Sequence, residues 1–184
     1  MTKTKKLTLS AVLTAVALAL ILVSRQLPAP WTQGGYITIG SMVPIILVSV
    51  ILGTKWGLAS GFVFSLIQMM TDFYMPPATT VLSFIGVILL DYVIAFTVLG
   101  FAGFFAKLFK YKVWGIALSG TIVTGLRYMM HVISGLLIWG AFADTDCVPL
   151  YALIYNGSYM IPEMIITTLV LAMIAPMIKK KFNL

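Results

Sequence analysis

Four ionisable side chains, Asp91, Arg127, His131 and Glu163, lie inside long apolar stretches of the chain. An ionisable group deep in lipid costs at least ~2.5–3.5 kcal/mol on insertion scales, so it usually faces the bundle interior and has a function. Arg127 and His131 are four residues apart and therefore share a helix face. Similar depth predicts a structural ion pair between Arg127 and Glu163, which leaves the Asp91 carboxylate for a cationic or donor-rich ligand. Alternatively, all four side chains satisfy one another.

Aromatic side chains cluster at the same end of the apolar segments as His131. Trp31 and Tyr36 lie in the first outer loop, and the later segments contribute Trp139, Tyr151, Tyr155 and the amide of Asn156. Aromatic faces above a buried carboxylate would hold a flat, positively charged heteroaromatic by stacking and cation–π attraction. An interfacial aromatic belt is the alternative explanation for each aromatic residue. We also expect Asn156-Gly157 to break its helix and line a cavity there.

Motifs of the common catalytic classes are absent from the sequence. It has no G-x-x-x-x-G-K-[ST] loop and no G-x-S-x-G motif, and one histidine with one cysteine is too few for the usual zinc sites. We therefore expect no enzyme activity and no cofactor or metal. An intramembrane enzyme that uses Asp91, His131 and Glu163 remains an alternative from another class, although it lacks a nucleophile. A channel or a purely structural protein is a further alternative.

The elements that must position these residues are predicted to be membrane-spanning helices. Of 184 residues, 61% are hydrophobic and 9% are charged, whereas soluble domains have about 45–50% apolar and about 25% charged residues. A soluble enzyme, a disordered chain and a nucleic-acid binder are therefore excluded. A spanning helix needs about 20 mainly apolar residues. The sequence predicts an all-α integral membrane protein, a single domain over residues 1–184, with six such helices at 7–24, 37–53, 56–70, 79–105, 113–140 and 151–177.

The distribution of basic residues predicts the orientation of this bundle. If six helices span, all ten lysines fall on one side, and Arg25, Asp72, Asp144 and Asp146 fall on the other. By the positive-inside rule, both termini are cytoplasmic. The first apolar run is long for a signal peptide and has no clear A-x-A cleavage site, so we expect it to be retained as a helix.

The first helix carries a stripe of small residues. Ala11, Ala15 and Ala19 recur every four residues, and small residues at this spacing let another helix approach closely. The stripe indicates either packing within the bundle or a docking face for a separate membrane protein.

Several of these residues lie in motifs of one membrane-protein family. Residues 34–45 (GGYITIGSMVPI) resemble the glycine-rich lead into helix 2 of the thiamin-specific S-components of energy-coupling factor (ECF) transporters, the ThiT family. Residues 90–96 with 99–103 are similar to the helix 4 signature of that family, and 127–131 with Ser134-Gly135 to its helix 5 signature. Residues 151–163 resemble its helix 6 start. The resemblance covers nearly the whole chain in order.

This resemblance implies a thiamin-binding S-component in a bacterial cell membrane, with its pocket near the outer face. By motif position, Asp91 would engage the vitamin, and the other ligand residues would be His131, Trp139, Tyr151 and Asn156, with Tyr36 near the position of an aromatic lid. The alanine face of helix 1 would meet the transmembrane coupling subunit, which works with two cytoplasmic ATPases. An S-component for another vitamin, or for a precursor such as hydroxymethyl-aminopyrimidine, is the alternative within this class.

Overall fold

The computed structural model describes residues 1–26 and 34–184, and this part of the chain is helical without a β-strand. The predicted all-α class is thereby confirmed. Within the described residues, the helices are α1 (Lys3–Ser24), α2 (Met42–Leu52), α3 (Thr54–Thr71), α4 (Val81–Leu108), α5 (Val113–Leu137) and α6 (Val148–Phe182).

Four of the described helices, α1, α4, α5 and α6, are long and apolar enough to cross a membrane. In contrast, α2 has 11 residues, which at ~1.5 Å per residue span roughly half of a ~30 Å hydrocarbon core. The predicted count of six spanning helices and the cytoplasmic position of both termini therefore stay predictions.

Glycines allow close packing where α2, α3 and α4 meet. Gly53, with φ +97°, alone separates α2 from α3, as the predicted tight hairpin requires. The Ser49 hydroxyl on α2 accepts a hydrogen bond from Gly103 N at 2.8 Å and donates to Gly100 O. A Cβ atom at Gly100 would lie 2.3 Å from Leu58 N, so only glycine permits this backbone approach. This contact packs the half of α4 that contains Gly100 and Gly103, which is predicted to lie nearer the cytoplasm, against the α2–α3 hairpin.

Helix α4 is continuous but irregular. Ile88–Val93 forms a π-helical turn that contains Asp91, and Val98–Phe101 forms a 3₁₀ turn. Isolated π turns inside α-helices occur frequently at functional sites. The sequence predicts one helix over residues 79–105, and the π turn within it was not predicted.

Three helix boundaries differ from the predicted ones in ways that shape the site. Helix α2 begins at Met42 rather than at residue 37, because Gly35 and Gly40 adopt left-handed φ angles of +93° and +71°. Helix α5 ends at Leu137, and a 3₁₀ turn over Trp139–Phe142 follows it. Helix α6 runs through Asn156-Gly157 without a break, so that expectation was wrong. The Asn156 amide supports the helix by donating to Ala152 O at 2.9 Å.

Helix α1 packs on the bundle through one face only. Its buried residues are Ser10, Thr14, Ala17, Ile21 and Ser24. Ala11, Ala15 and Ala19 are exposed, so the alanine stripe is not used for packing in the described part of the bundle.

Candidate ligand-binding site

A cavity whose empty space is about 930 Å³, including the part open to solvent, lies among α1, α3, α4, α5, α6 and the segment before α2. All eight residues predicted from the sequence as ligand contacts or as a buried ion pair line it. They are Tyr36, Asp91, Arg127, His131, Trp139, Tyr151, Asn156 and Glu163. Residue 31, also singled out in the sequence, lies outside the described residues.

The Asp91 carboxylate at one wall of the cavity is held by three side chains. Ser134 Oγ and Trp139 Nε1 donate to Oδ2 at 2.6 and 2.9 Å, and His131 Nδ1 lies 3.0 Å from Oδ1. Asp91 therefore has hydrogen-bond partners within the protein, and its predicted role as a ligand contact stays a prediction. Because a carboxylate only accepts hydrogen bonds, we infer that the proton of the neutral His131 ring sits on Nδ1. Its Nε2 atom is buried and has no hydrogen-bond partner among the described residues.

Ser134 is a site residue that the sequence analysis did not single out for ligand chemistry. It lies three residues after His131 on α5, and residues at that spacing share a helix face. Its side chain is fully buried at the Asp91 carboxylate. This spacing was the available signal in the sequence.

Aromatic rings and the Asn156 amide form the walls beside Asp91. The Trp139 ring stacks on Phe142 with centroids 6.1 Å apart, and its N–H is bound to Asp91. The Tyr159 hydroxyl donates to Asn156 Oδ1 at 2.5 Å, and Asn156 Nδ2 also donates to His131 O at 3.3 Å. Asn156 therefore ties α6 to α5 as well as lining the cavity.

At the mouth, Tyr36 joins a contact between the ends of α1 and α3. Arg25 Nη2 lies 2.9 Å from Asp72 Oδ2 in a salt bridge. The Tyr36 hydroxyl accepts from Arg25 Nε at 3.1 Å and donates to Asp72 Oδ2 at 3.1 Å. Burial raises the pKa of Tyr36 above its usual value, so the neutral phenol can act as this donor. We call Arg25, Tyr36 and Asp72 the mouth cluster.

The expected pairing of Arg127 with Glu163 is replaced by separate contacts. Among the described residues, Arg127 and Glu163 form no salt bridge; the charged side chains in contact are Arg25 and Asp72, and the neutral His131 ring is hydrogen-bonded to Asp91. Glu163 instead accepts the backbone N–H of Thr38 at 2.6 Å and also its hydroxyl. The Arg127 guanidinium lies over the Phe96 ring, 4.2 Å from its centroid. The N–H of Thr38 lies outside a helix and needs a hydrogen-bond acceptor, which the Glu163 carboxylate supplies.

No group of three or more His, Cys, Asp or Glu side chains in residues 1–26 and 34–184 is arranged to hold a metal ion. The cavity instead combines the Asp91 carboxylate with aromatic rings and a guanidinium group, while the Asp72 and Glu163 carboxylates that also line it are bound to the Arg25 side chain and to Thr38. This arrangement can bind a flat cation through charge, stacking and ring-edge hydrogen bonds.

Comparison with known proteins gives matches to one family. A family model described as "Thiamine transporter protein (Thia_YuaJ)" matches residues 7–183. Thiamine transporter ThiT of Bacillus subtilis (strain 168) is 36% identical over 177 residues, which cover 89% of the chain and 86% of that protein. Thiamine transporter ThiT of Lacticaseibacillus paracasei is 33% identical over 96 residues, covering 47% of the chain and 48% of that protein.

The fold is also similar to that of a solved structure. The structure of ThiT from Listeria monocytogenes superposes with a TM-score of 0.75 and 19% sequence identity, and the match covers 98% of each chain. At this identity, the match supports the fold alone.

Proposed function

The chain belongs to the thiamine transporter protein family (Thia_YuaJ), and from that premise we propose that it is the substrate-binding S-component of an ATP-driven ECF transporter that takes up thiamin. The family is one of transporters, in agreement with the prediction that the chain is not an enzyme. The observation that carries the proposal is the Asp91 carboxylate, which three side chains fix in an aromatic cavity.

The chemistry of thiamin fits this cavity. Thiamin joins a thiazolium cation to an aminopyrimidine ring, so it needs one counter-charge, flat apolar faces and polar groups at a ring edge. Asp91 supplies the charge, and Trp139 and Tyr151 supply rings for stacking and cation–π attraction. The Nε2 atom of His131, which has no hydrogen-bond partner within residues 1–26 and 34–184, is a candidate acceptor for the exocyclic amine. Asn156 lines the wall beside Asp91, and Tyr36 lines the cavity where it meets Arg25 and Asp72.

The exposed alanine face of α1 is our proposed docking face for the transmembrane coupling subunit. Ala11, Ala15 and Ala19 are exposed along one side of α1, while its opposite side packs on the bundle. Small side chains allow close helix–helix approach, which supplies the packing that drives association in lipid. Docking on this face would couple the chain to the two cytoplasmic ATPases. The chain needs such partners for ATP-driven uptake, because its sequence has no phosphate-binding loop.

The proposed location is the plasma membrane of a bacterium, with thiamin captured from outside. The lysines lie in the first turns of α1, at the start of α3, at the end of α4 and in the turn before α5, and at the end of α6. The positive-inside rule then places both termini in the cytoplasm and the cavity mouth on the outer side.

Titration calorimetry with the purified chain tests the ligand. We expect tight binding of thiamin, much weaker binding of the hydroxyethyl-methylthiazole half, and weaker binding of hydroxymethyl-aminopyrimidine. Equal or tighter binding of hydroxymethyl-aminopyrimidine would identify the chain as a precursor-specific S-component. Mass spectrometry of the small molecule that co-purifies with the chain provides an independent check, because a ligand without a cationic heteroaromatic ring would contradict the assignment.

A further inference from the structure

The segment before α2, residues 34–41, lies against the bundle without helical hydrogen bonds. Backbone N–H and C=O groups that are buried away from water need hydrogen-bond partners within the protein. Side chains from two helices supply them. Gly34 O accepts from the Tyr155 hydroxyl at 2.9 Å, Ile39 N donates to Ser24 Oγ at 3.0 Å, and Thr38 N donates to Glu163 Oε2 at 2.6 Å.

Glu163 makes the charged contact to this segment and uses both of its oxygens. Oε2 accepts the Thr38 N–H, and Oε1 accepts the Thr38 hydroxyl, which also lies 2.6 Å from Ser41 Oγ. Glu163 and Thr38 are 2% and 5% exposed, so water does not compete strongly for these bonds. Hydrogen bonds to an ionised acceptor are about twice as strong as neutral ones.

We propose that Glu163 is a positioning residue for ligand binding, which fixes residues 34–41 as one wall of the cavity. Gly34, Gly35, Tyr36 and Thr38 of this segment all line the cavity. The segment also leads directly to the mouth cluster through Tyr36. Glu163 thus acts on the ligand through the wall that it holds, and the charge that meets the ligand is that of Asp91. The nature of the ligand rests on the proposed function, whereas the anchoring of the segment does not.

Hydrogen–deuterium exchange of the purified, ligand-free full-length chain tests the anchor directly. Glu163→Ala removes both acceptors, so we expect the Thr38 and Ile39 amides to exchange at least about tenfold faster than in the wild type. Glu163→Gln can still accept the N–H and donate to the hydroxyl, so it should restore protection to within about threefold. Thr167→Val, one turn further along α6 and also buried, is the matched control and should leave exchange at residues 34–41 unchanged.

Thiamin dissociation, measured by displacement of labelled thiamin, provides the second readout. We expect Glu163→Ala to speed dissociation at least about tenfold and Glu163→Gln to restore slow dissociation. If Glu163→Ala does not fold, Thr38→Val, which loses one of the two bonds, should give a smaller increase in both rates.

Two results would overturn the proposal. One is unchanged protection of residues 34–41 in Glu163→Ala or, if that variant does not fold, in Thr38→Val. The other is a Glu163→Gln variant that loses thiamin affinity while the segment stays protected, because the charge would then act on the ligand itself. A wild-type chain that does not bind thiamin would contradict the proposed function, whereas the exchange experiment would still decide the role of Glu163.

Discussion

Replacement of Asp91 by asparagine separates the charge of this side chain from its shape. In the structure, Ser134 and Trp139 both donate to Oδ2, and His131 meets Oδ1. An asparagine oxygen can occupy the Oδ2 position, and its amide can face His131, whose other tautomer accepts that bond. The fold should therefore persist in Asp91→Asn. Besides the negative charge, the variant loses the Nε2 acceptor of His131, a loss that affects any ligand with the exocyclic amine whether or not it carries the cation.

The magnitude follows from Coulomb's law. A carboxylate about 5 Å from the thiazolium, at an effective dielectric constant of about 20, contributes about 3 kcal/mol. Relief from the burial of the Asp91 charge offsets part of this loss. We therefore expect the dissociation constant of thiamin to rise at least about tenfold and up to about a hundredfold.

The assay is titration calorimetry with thiamin and with a neutral isostere in which a thiophene replaces the thiazolium ring. Asp91→Asn should weaken binding of thiamin much more than binding of the isostere, because only thiamin carries the cation. Asp146→Asn, an exposed carboxylate in the loop before α6, is the matched control and should leave both affinities unchanged. Wild-type affinity for thiamin in a folded Asp91→Asn protein would refute this reasoning.

Three further predictions concern other parts of the molecule. Ala15→Trp should leave thiamin affinity unchanged but abolish ATP-driven uptake in vesicles that contain the coupling subunits. The control Leu169→Trp, on the exposed face of α6, should support uptake. Normal uptake by Ala15→Trp would contradict docking on this face. Arg25→Gln breaks the partly exposed salt bridge of the mouth cluster, so thiamin should dissociate several-fold faster in stopped-flow experiments, as expected for a loss of about 1 kcal/mol. Gly35→Ala places a Cβ atom 2.5 Å from Tyr159 Cε1 at φ +93° and should lower the free energy of unfolding by about 1–2 kcal/mol; an unchanged melting temperature would contradict that strain.

The composition of the cavity could be predicted because polar residues within apolar helices are few and costly to bury. Asp91, His131 and Trp139 could be grouped from helix spacing and depth alone, and the structure places all three at one wall. The partners of each charge could not be predicted in this way. They depend on which backbone groups lack helical hydrogen bonds, and Glu163 is bound to Thr38 for that reason.

The irregular backbone near the site could not be predicted from sequence patterns either. The apolar stretch begins at Ile37, so a helix was predicted from that residue, whereas hydrogen bonds to Ser24 and Glu163 hold residues 38 and 39 in a non-helical conformation. In contrast, the continuous helix at Asn156-Gly157 shows that helix-breaking residues can be accommodated when an amide bonds to the preceding turn.

The two irregular turns of α4 have opposite effects on helical phase. The π turn over Ile88–Val93 is wider than an α-helical turn and delays the rotation of successive side chains, while the 3₁₀ turn over Val98–Phe101 is tighter and advances it. The two deviations therefore offset each other along the helix. Asp91 can point to the cavity while Gly100 and Gly103 stay in register against the α2–α3 hairpin. Insertion or deletion of one residue between these turns would rotate the carboxylate relative to its glycine contacts, so the length of this stretch constrains the protein as much as its residue types do.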